Sequence, residues 1–106
     1  MSDEDDSGAQ LDHPDILRAV QTCSAVPDQW EGELRDGRAF YYRYRFGRVT
    51  LAVGPGRSDV AGITHPTEAG PATQVAILGH GDGLSGMFET DEERSEIFGQ
   101  LLAEIT

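Results

Sequence analysis

Hydrophobic positions along this chain change their spacing from one segment to the next, and each spacing predicts a different element. In "DHPDILRAVQTC", Asp12 to Cys23, the residues Ile16, Val20 and Cys23 recur at helical intervals with Leu17 and Ala19 beside them. Asp12 can cap such a helix, Pro14 falls in the first turn where its missing N–H does no harm, and Asp15 suits the positive helix end. A short N-terminal helix is expected, ended by "AVP". From Gln29 to Val53 the spacing becomes two. Trp30, Gly32 and Leu34 alternate with Glu31, Glu33 and Arg35; Phe40, Tyr42, Tyr44 and Phe46 alternate with Tyr41, Arg43 and Arg45; Val49, Leu51 and Val53 follow. That pattern predicts a three-stranded antiparallel meander with one apolar face.

The turns set its register. A two-residue turn at Phe46-Gly47 opposes Tyr44 to Val49, Tyr42 to Leu51 and Phe40 to Val53, placing every apolar pair on one face. At "RDGR" a two-residue loop would put Trp30 on the charged face. A three-residue loop with Gly37 in the left-handed region instead opposes Trp30 to Tyr42 and Gly32 to Phe40, and is preferred. It also brings Glu31 and Glu33 beside Tyr41 and Arg43 on the outer face, where cross-strand ion pairs are expected to neutralise the arginines.

Beyond Gly54, prolines and glycines predict turns, with "DVAGIT" (59–64) a candidate short edge strand. "TQVAILGHG" predicts a further strand with Val75 and Ile77 on its core face, and "GMFE" a last short one. "TDEERSEIFGQLLAEI" predicts a C-terminal helix. Thr90 and Glu93 form a capping box, and Ile97, Phe98, Leu101, Leu102 and Ile105 make the stripe that covers the sheet. Gly99 weakens that helix by about 1 kcal/mol relative to alanine, which suggests close packing. The expected fold is α+β: one domain over residues 11–106, a four- to five-stranded antiparallel sheet built on the 29–53 meander, and a helix at each end. Its expected core is Trp30, Leu34, Phe40, Tyr42, Tyr44, Val49, Leu51, Val75, Ile77, Phe98, Leu101 and Leu102.

Charge changes the picture more than size does. Of 106 residues, 19 are acidic and eight are arginine, with no lysine, for a net charge of −11. Arginine without lysine is what a GC-rich codon bias produces, and a salt-rich cytoplasm would also favour a surface dense in carboxylates; neither is a mechanism. Asp3, Glu4, Asp5 and Asp6 lie in a segment, residues 1–10, too poor in apolar side chains to fold, so an acidic disordered tail is expected. Even without those four acids, 15 acids face eight arginines. Such a chain is repelled by phosphate backbones, which argues against nucleic acid as a partner. The sole cysteine, Cys23, excludes an internal disulfide and a thiolate-rich zinc site. No segment has the length and hydropathy of a membrane span, and the N-terminus lacks a signal-peptide pattern; a cytoplasmic location is expected.

Three groups of residues could carry function. Tyr41, Arg43, Arg45 and Arg48 share the outer face of the hairpin, where arginines with a stacking aromatic could hold a protein partner or a single-stranded nucleic acid. His80 and Asp82, in "LGHGDGLSG", stand in a glycine-rich loop after a strand, where His65 could join them around a metal. A calcium-loop reading of "DGLSGMFETDEE" fails, because Gly81 and Gly83 fall where carboxylate ligands belong. The acidic surface itself could meet a basic protein, including by imitating the charge pattern of DNA. No nucleophile elbow, phosphate loop or dinucleotide fingerprint occurs, so no catalytic residue, cofactor or metal is assigned. A non-enzymatic module with a protein partner, or a homodimer through the arginine face or a sheet edge, is the leading reading. Single-strand binding through Tyr41, Arg43, Arg45 and Arg48 is the alternative, and a small enzyme or metal site at His80 and Asp82 ranks below both.

The stretch "QWEGELRDGRAFYYRYRFGRVTLAVG" (29–54) resembles the strand–turn–strand core of small uncharacterised proteins of actinobacteria and their phages. The resemblance covers about a quarter of the chain and carries no activity onto any residue. It implies a source and a sheet core, and an accessory or host-modulating role.

Overall fold

A computed structural model describes residues 9–24, 28–81, 83 and 86–105. Five strands form one antiparallel sheet in sequential order: β1 (Ile16–Ser24), β2 (Asp28–Leu34), β3 (Ala39–Arg45), β4 (Arg48–Gly54) and β5 (Gln74–Gly79). A one-turn helix α1 (Arg57–Val60) and a 3₁₀ turn (Pro66–Glu68) lie between β4 and β5, and α2 (Asp91–Ile105) closes the described chain. The α+β class, the meander and the C-terminal helix stand as the residue pattern predicts.

The register does too. Trp30 opposes Tyr42 and Gly32 opposes Phe40. On the next ladder Tyr44 opposes Val49, Tyr42 opposes Leu51 and Phe40 opposes Val53. The first loop closes through Leu34 N–H to the Arg38 carbonyl (2.8 Å), with Gly37 at φ 97°. At the second turn Phe46 and Gly47 both have positive φ, 56° and 69°. This is the double left-handed pair that matches strand twist, but it is uncommon for a bulky residue. Phe46 is thereby turned outward and exposed, not directed into the core.

The N-terminal helix is not formed; the same residues make edge strand β1. Two irregularities break its alternation. Ile16 opposes Leu34 and Ala19 opposes Gly32, so three residues of β1 span two of β2, and a second shift falls between Gln21 and Cys23. Each bulge inserts a residue and shifts the side-chain alternation by one, so no clean period of two marks the strand. Ile16 therefore faces the core, whereas Val20 and Cys23 lie on the outer side opposite Glu31 and Gln29. Gly32 makes the close pairing possible, since a Cβ there would collide with the Arg18 carbonyl and the Phe40 ring.

Helix α2 packs on the face of Trp30, Leu34, Phe40, Tyr42, Tyr44, Val49, Leu51 and Val53. Phe98 stands at the centre, edge-on to Phe40 at 5.0 Å and to Tyr42 at 5.1 Å between centroids. The Tyr42 hydroxyl donates to the Arg94 carbonyl (2.8 Å), fixing sheet to helix and satisfying its buried polar atom. Gly99 is small for a reason: a Cβ would lie 3.2 Å from the His13 ring. Thr90 accepts from the Glu93 N–H (3.0 Å), but Glu93 reaches back one residue further than a capping box does, to the Glu89 N–H (2.8 Å). Residues "GMFE" form no strand; Phe88 is instead a core residue stacked on Tyr42 and tilted against Tyr44. Nor is "DVAGIT" a strand: its first two residues end α1. In β5 the faces are the reverse of the expected ones. Ala76 and Leu78 join the α2 core, while Val75 opposes Ala52 and Ile77 opposes Thr50 on the other side.

Of the expected acidic tail, residues 1–8 lie outside the described residues. Gln10 is anchored, its N–H donating to Asp91 Oδ1 (3.1 Å) and its carbonyl accepting from Arg94 Nη1 (2.8 Å). Among the described residues no helix is long and apolar enough to cross a membrane.

Candidate functional site

The outer face of the sheet divides into a covered half and an open half. Three rungs of the β3–β4 hairpin set the division: Tyr41 opposite Ala52, Arg43 opposite Thr50, and Arg45 opposite Arg48. The first rung is covered. After Gly54-Pro55-Gly56 the chain folds back as α1 and lays Val60 over Ala39, Tyr41 and Ala52, with Ile63 and Val75 alongside. Tyr41 is only 4% exposed, so it is not the outer stacking platform that alternation alone suggests. Burial raises its hydroxyl pKa, with Arg43 beside it pulling the other way.

The second and third rungs are open. They line a concavity of about 210 Å³ formed by Arg43, Arg45, Phe46, Arg48, Thr50 and Thr64. The Arg45 guanidinium lies 4.6 Å from the Phe46 ring centroid, a cation–π contact at the hairpin tip. Phe46, 64% exposed, extends the basic end with an apolar surface.

Glu31 and Glu33 do not neutralise these arginines, contrary to expectation. Glu31 pairs with Arg57 at 3.3 Å and Glu33 with Arg18 at 3.8 Å, while Arg43 faces Gln29 across the β2–β3 ladder. Arg38 pairs with Asp36, Arg94 pairs with Asp28 and Asp91, and Arg35 donates to the Pro14 carbonyl. Among the described residues, Arg43, Arg45 and Arg48 form no ion pair. Arg43 Nε, Arg45 Nε and Thr50 Oγ1 are moreover buried atoms with no hydrogen-bond partner. Like charges directly opposed on a ladder, as Arg45 and Arg48 are, destabilise it. The surface thus keeps a positive corner that its own acids leave unpaired.

His80 lies on the other side of the sheet, at the end of β5. Its Nε2 is 2.7 Å from Glu93 Oε2, and its carbonyl accepts from the Tyr44 hydroxyl (2.9 Å). The Glu89 N–H holds the Glu93 carboxyl below its ordinary 4.5, against burial pulling the other way, with His80 adding to the lowering. This is a tie between β5 and the start of α2. Asp82 lies outside the described residues. His65 caps the 3₁₀ turn, accepting from the Thr67 N–H. Among the described residues no group of three His, Cys, Asp or Glu side chains is placed to hold a metal ion.

Sequence reasoning missed Phe46, Thr50 and Thr64 at this corner. Thr50 was within reach, because the register that opposes Tyr42 to Leu51 also opposes Arg43 to Thr50. Thr64 comes from the loop after α1, whose path no pattern announced. A second polar group was also missed. Asp28, 3% exposed, binds Arg94 at 2.9 Å and accepts from Trp30 Nε1 at 2.7 Å, with Arg94 over the Trp30 and Phe88 rings.

No protein-family model, curated protein or solved structure matches the chain.

Proposed function

We propose that this chain is a non-enzymatic interaction module that docks an acidic segment of a partner protein on the open arginine end of its sheet. The supporting observation is selective pairing. In a protein of net charge −11, three arginines on adjacent rungs of one hairpin lack a carboxylate, while four of the other five described arginines have one. Phe46 beside them supplies an aromatic contact of the kind enriched in interface centres. A partner with exposed carboxylates gains from the local field while the acidic remainder repels wrong orientations. The resemblance of residues 29–54 would make such a module an accessory protein of a phage or its host.

Single-stranded nucleic acid is the weaker reading. Binding of that kind relies on exposed aromatic platforms, and with Tyr41 buried only Phe46 remains at this corner. Panning a displayed peptide library on the immobilised protein tests the choice. Acidic peptides should be enriched, and the Arg43→Ala, Arg45→Ala, Arg48→Ala triple variant should lose them. Enrichment indifferent to acidic content, or tight capture of a labelled oligonucleotide instead, would overturn the proposal.

A further inference from the structure

Three buried atoms at the arginine end call for more than opposite charge. Arg43 Nε and Arg45 Nε lie on the same face of β3, and Thr50 projects from the position directly opposite Arg43, about 5 Å away across the ladder. None of the three atoms has a hydrogen-bond partner, and Thr50 is 2% exposed. The two Nε–H groups can only donate, and the hydroxyl can donate as well. A buried donor without an acceptor carries a desolvation cost that an entering acceptor removes.

We propose that Arg43, Arg45 and Thr50 form a subsite for one carboxylate group, an Asp or Glu side chain of the docked partner. This rests on the docking reading above and names its anchoring contact. A carboxylate is acceptor-only, carries two oxygens, and matches the planar donor fork of a guanidinium. The cavity of about 210 Å³ lies below the roughly 300–1,000 Å³ usual for whole small-molecule ligands, so it suits a functional group and not a cofactor. Its lining of three arginines, two threonines and Phe46 includes no carboxylate. Phosphate oxygens would also accept, but a polyphosphate chain carries many further charges toward an acidic protein, whereas one carboxylate carries a single charge. Arg48 and Phe46 form the rim, one steering the group inward and the other covering its carbon stem.

The test follows the Arg Nε–Hε signals by nitrogen-15 NMR. The probes are a capped octapeptide of alternating Glu and Ala, its Gln–Ala counterpart, and inorganic phosphate. The Arg43 and Arg45 Hε signals should move downfield and saturate with the Glu peptide and stay put with the Gln peptide. Thr50→Val should weaken the Glu peptide about three- to tenfold, the loss of one hydrogen bond, without lowering the thermal midpoint. If backbone amides of β3 and β4 respond to the Glu peptide while both Hε signals and the Thr50→Val affinity stay unchanged, the subsite is overturned and docking stands. If phosphate moves the two Hε signals more than the Glu peptide does, the carboxylate assignment is overturned. If the Glu peptide moves nothing on the hairpin, subsite and docking fall together.

Discussion

Arginine is used in two opposite ways in this molecule. Arg94 is buried between sheet and helix and its bonds are met: Asp28 takes Nε and Nη2, while Asp91 and the Gln10 carbonyl take Nη1. Arg43 and Arg45 also have buried Nε atoms, yet theirs lack partners. The first arrangement joins the segment before β1, the start of β2 and the first turn of α2. The second joins nothing within the described chain. Arg94, with each of its nitrogens engaged, is part of the architecture; the open Nε atoms of Arg43 and Arg45 beside a cavity are what the docking proposal rests on.

That contrast is open to direct attack. Arg94→Ala would leave the Asp28 carboxylate buried without its counter-ion, and should cost about 3–5 kcal/mol in urea unfolding. A loss below about 1 kcal/mol would mean that the two arginine groups do not differ as described. Phe98→Ala should cost a similar 3–5 kcal/mol by opening a cavity between Phe40 and Tyr42. Acid should reach the architectural group first. The Gln10 N–H and Arg94 hold Asp91 below its ordinary 3.8, and the Glu89 N–H and His80 hold Glu93 below 4.5. Folded-state values below the unfolded ones mean the stabilisation is complete above about pH 4.5 and is lost as pH falls through the folded values. A pH series of thermal midpoints should therefore decline below pH 4.5, and less steeply for Glu93→Gln.

The open corner should behave in the reverse sense. Phe46→Asn would give the favoured Asn-Gly turn and relieve a bulky residue at φ 56°, raising stability by about 0.5–1 kcal/mol while reducing acidic-peptide capture. Thr50→Val removes an unpaired buried hydroxyl and should leave stability unchanged or raise it by up to about 1 kcal/mol. Stability lost at either position would show that the corner is built for folding and not for binding.

Residue order alone carried the meander, both hairpin registers and α2, because each rests on local alternation and on turn residues whose geometry is specific. Strand β1 was illegible for a physical reason: two bulges break its period of two, leaving Ile16 on the core face and Val20 and Cys23 on the other, and its stabilisation comes from pairing with β2, which no single-segment pattern contains. The reversed faces of β5 have the same origin, since Val75 looks like a core residue until α1 provides a second apolar contact on the outer side. The candidate arginine stripe was legible by alternation, but which half of it stays open was not. Alternation could say which side chains share a face; covering Tyr41 with Val60, diverting Glu31 and Glu33 to Arg57 and Arg18, and leaving the Arg43 and Arg45 Nε atoms without acceptors are long-range outcomes. The sequence by itself determined the strands whose partners are adjacent in the chain. Only the tertiary structure decided which arginines are neutralised, because an ion pair depends on distances between segments far apart in the chain.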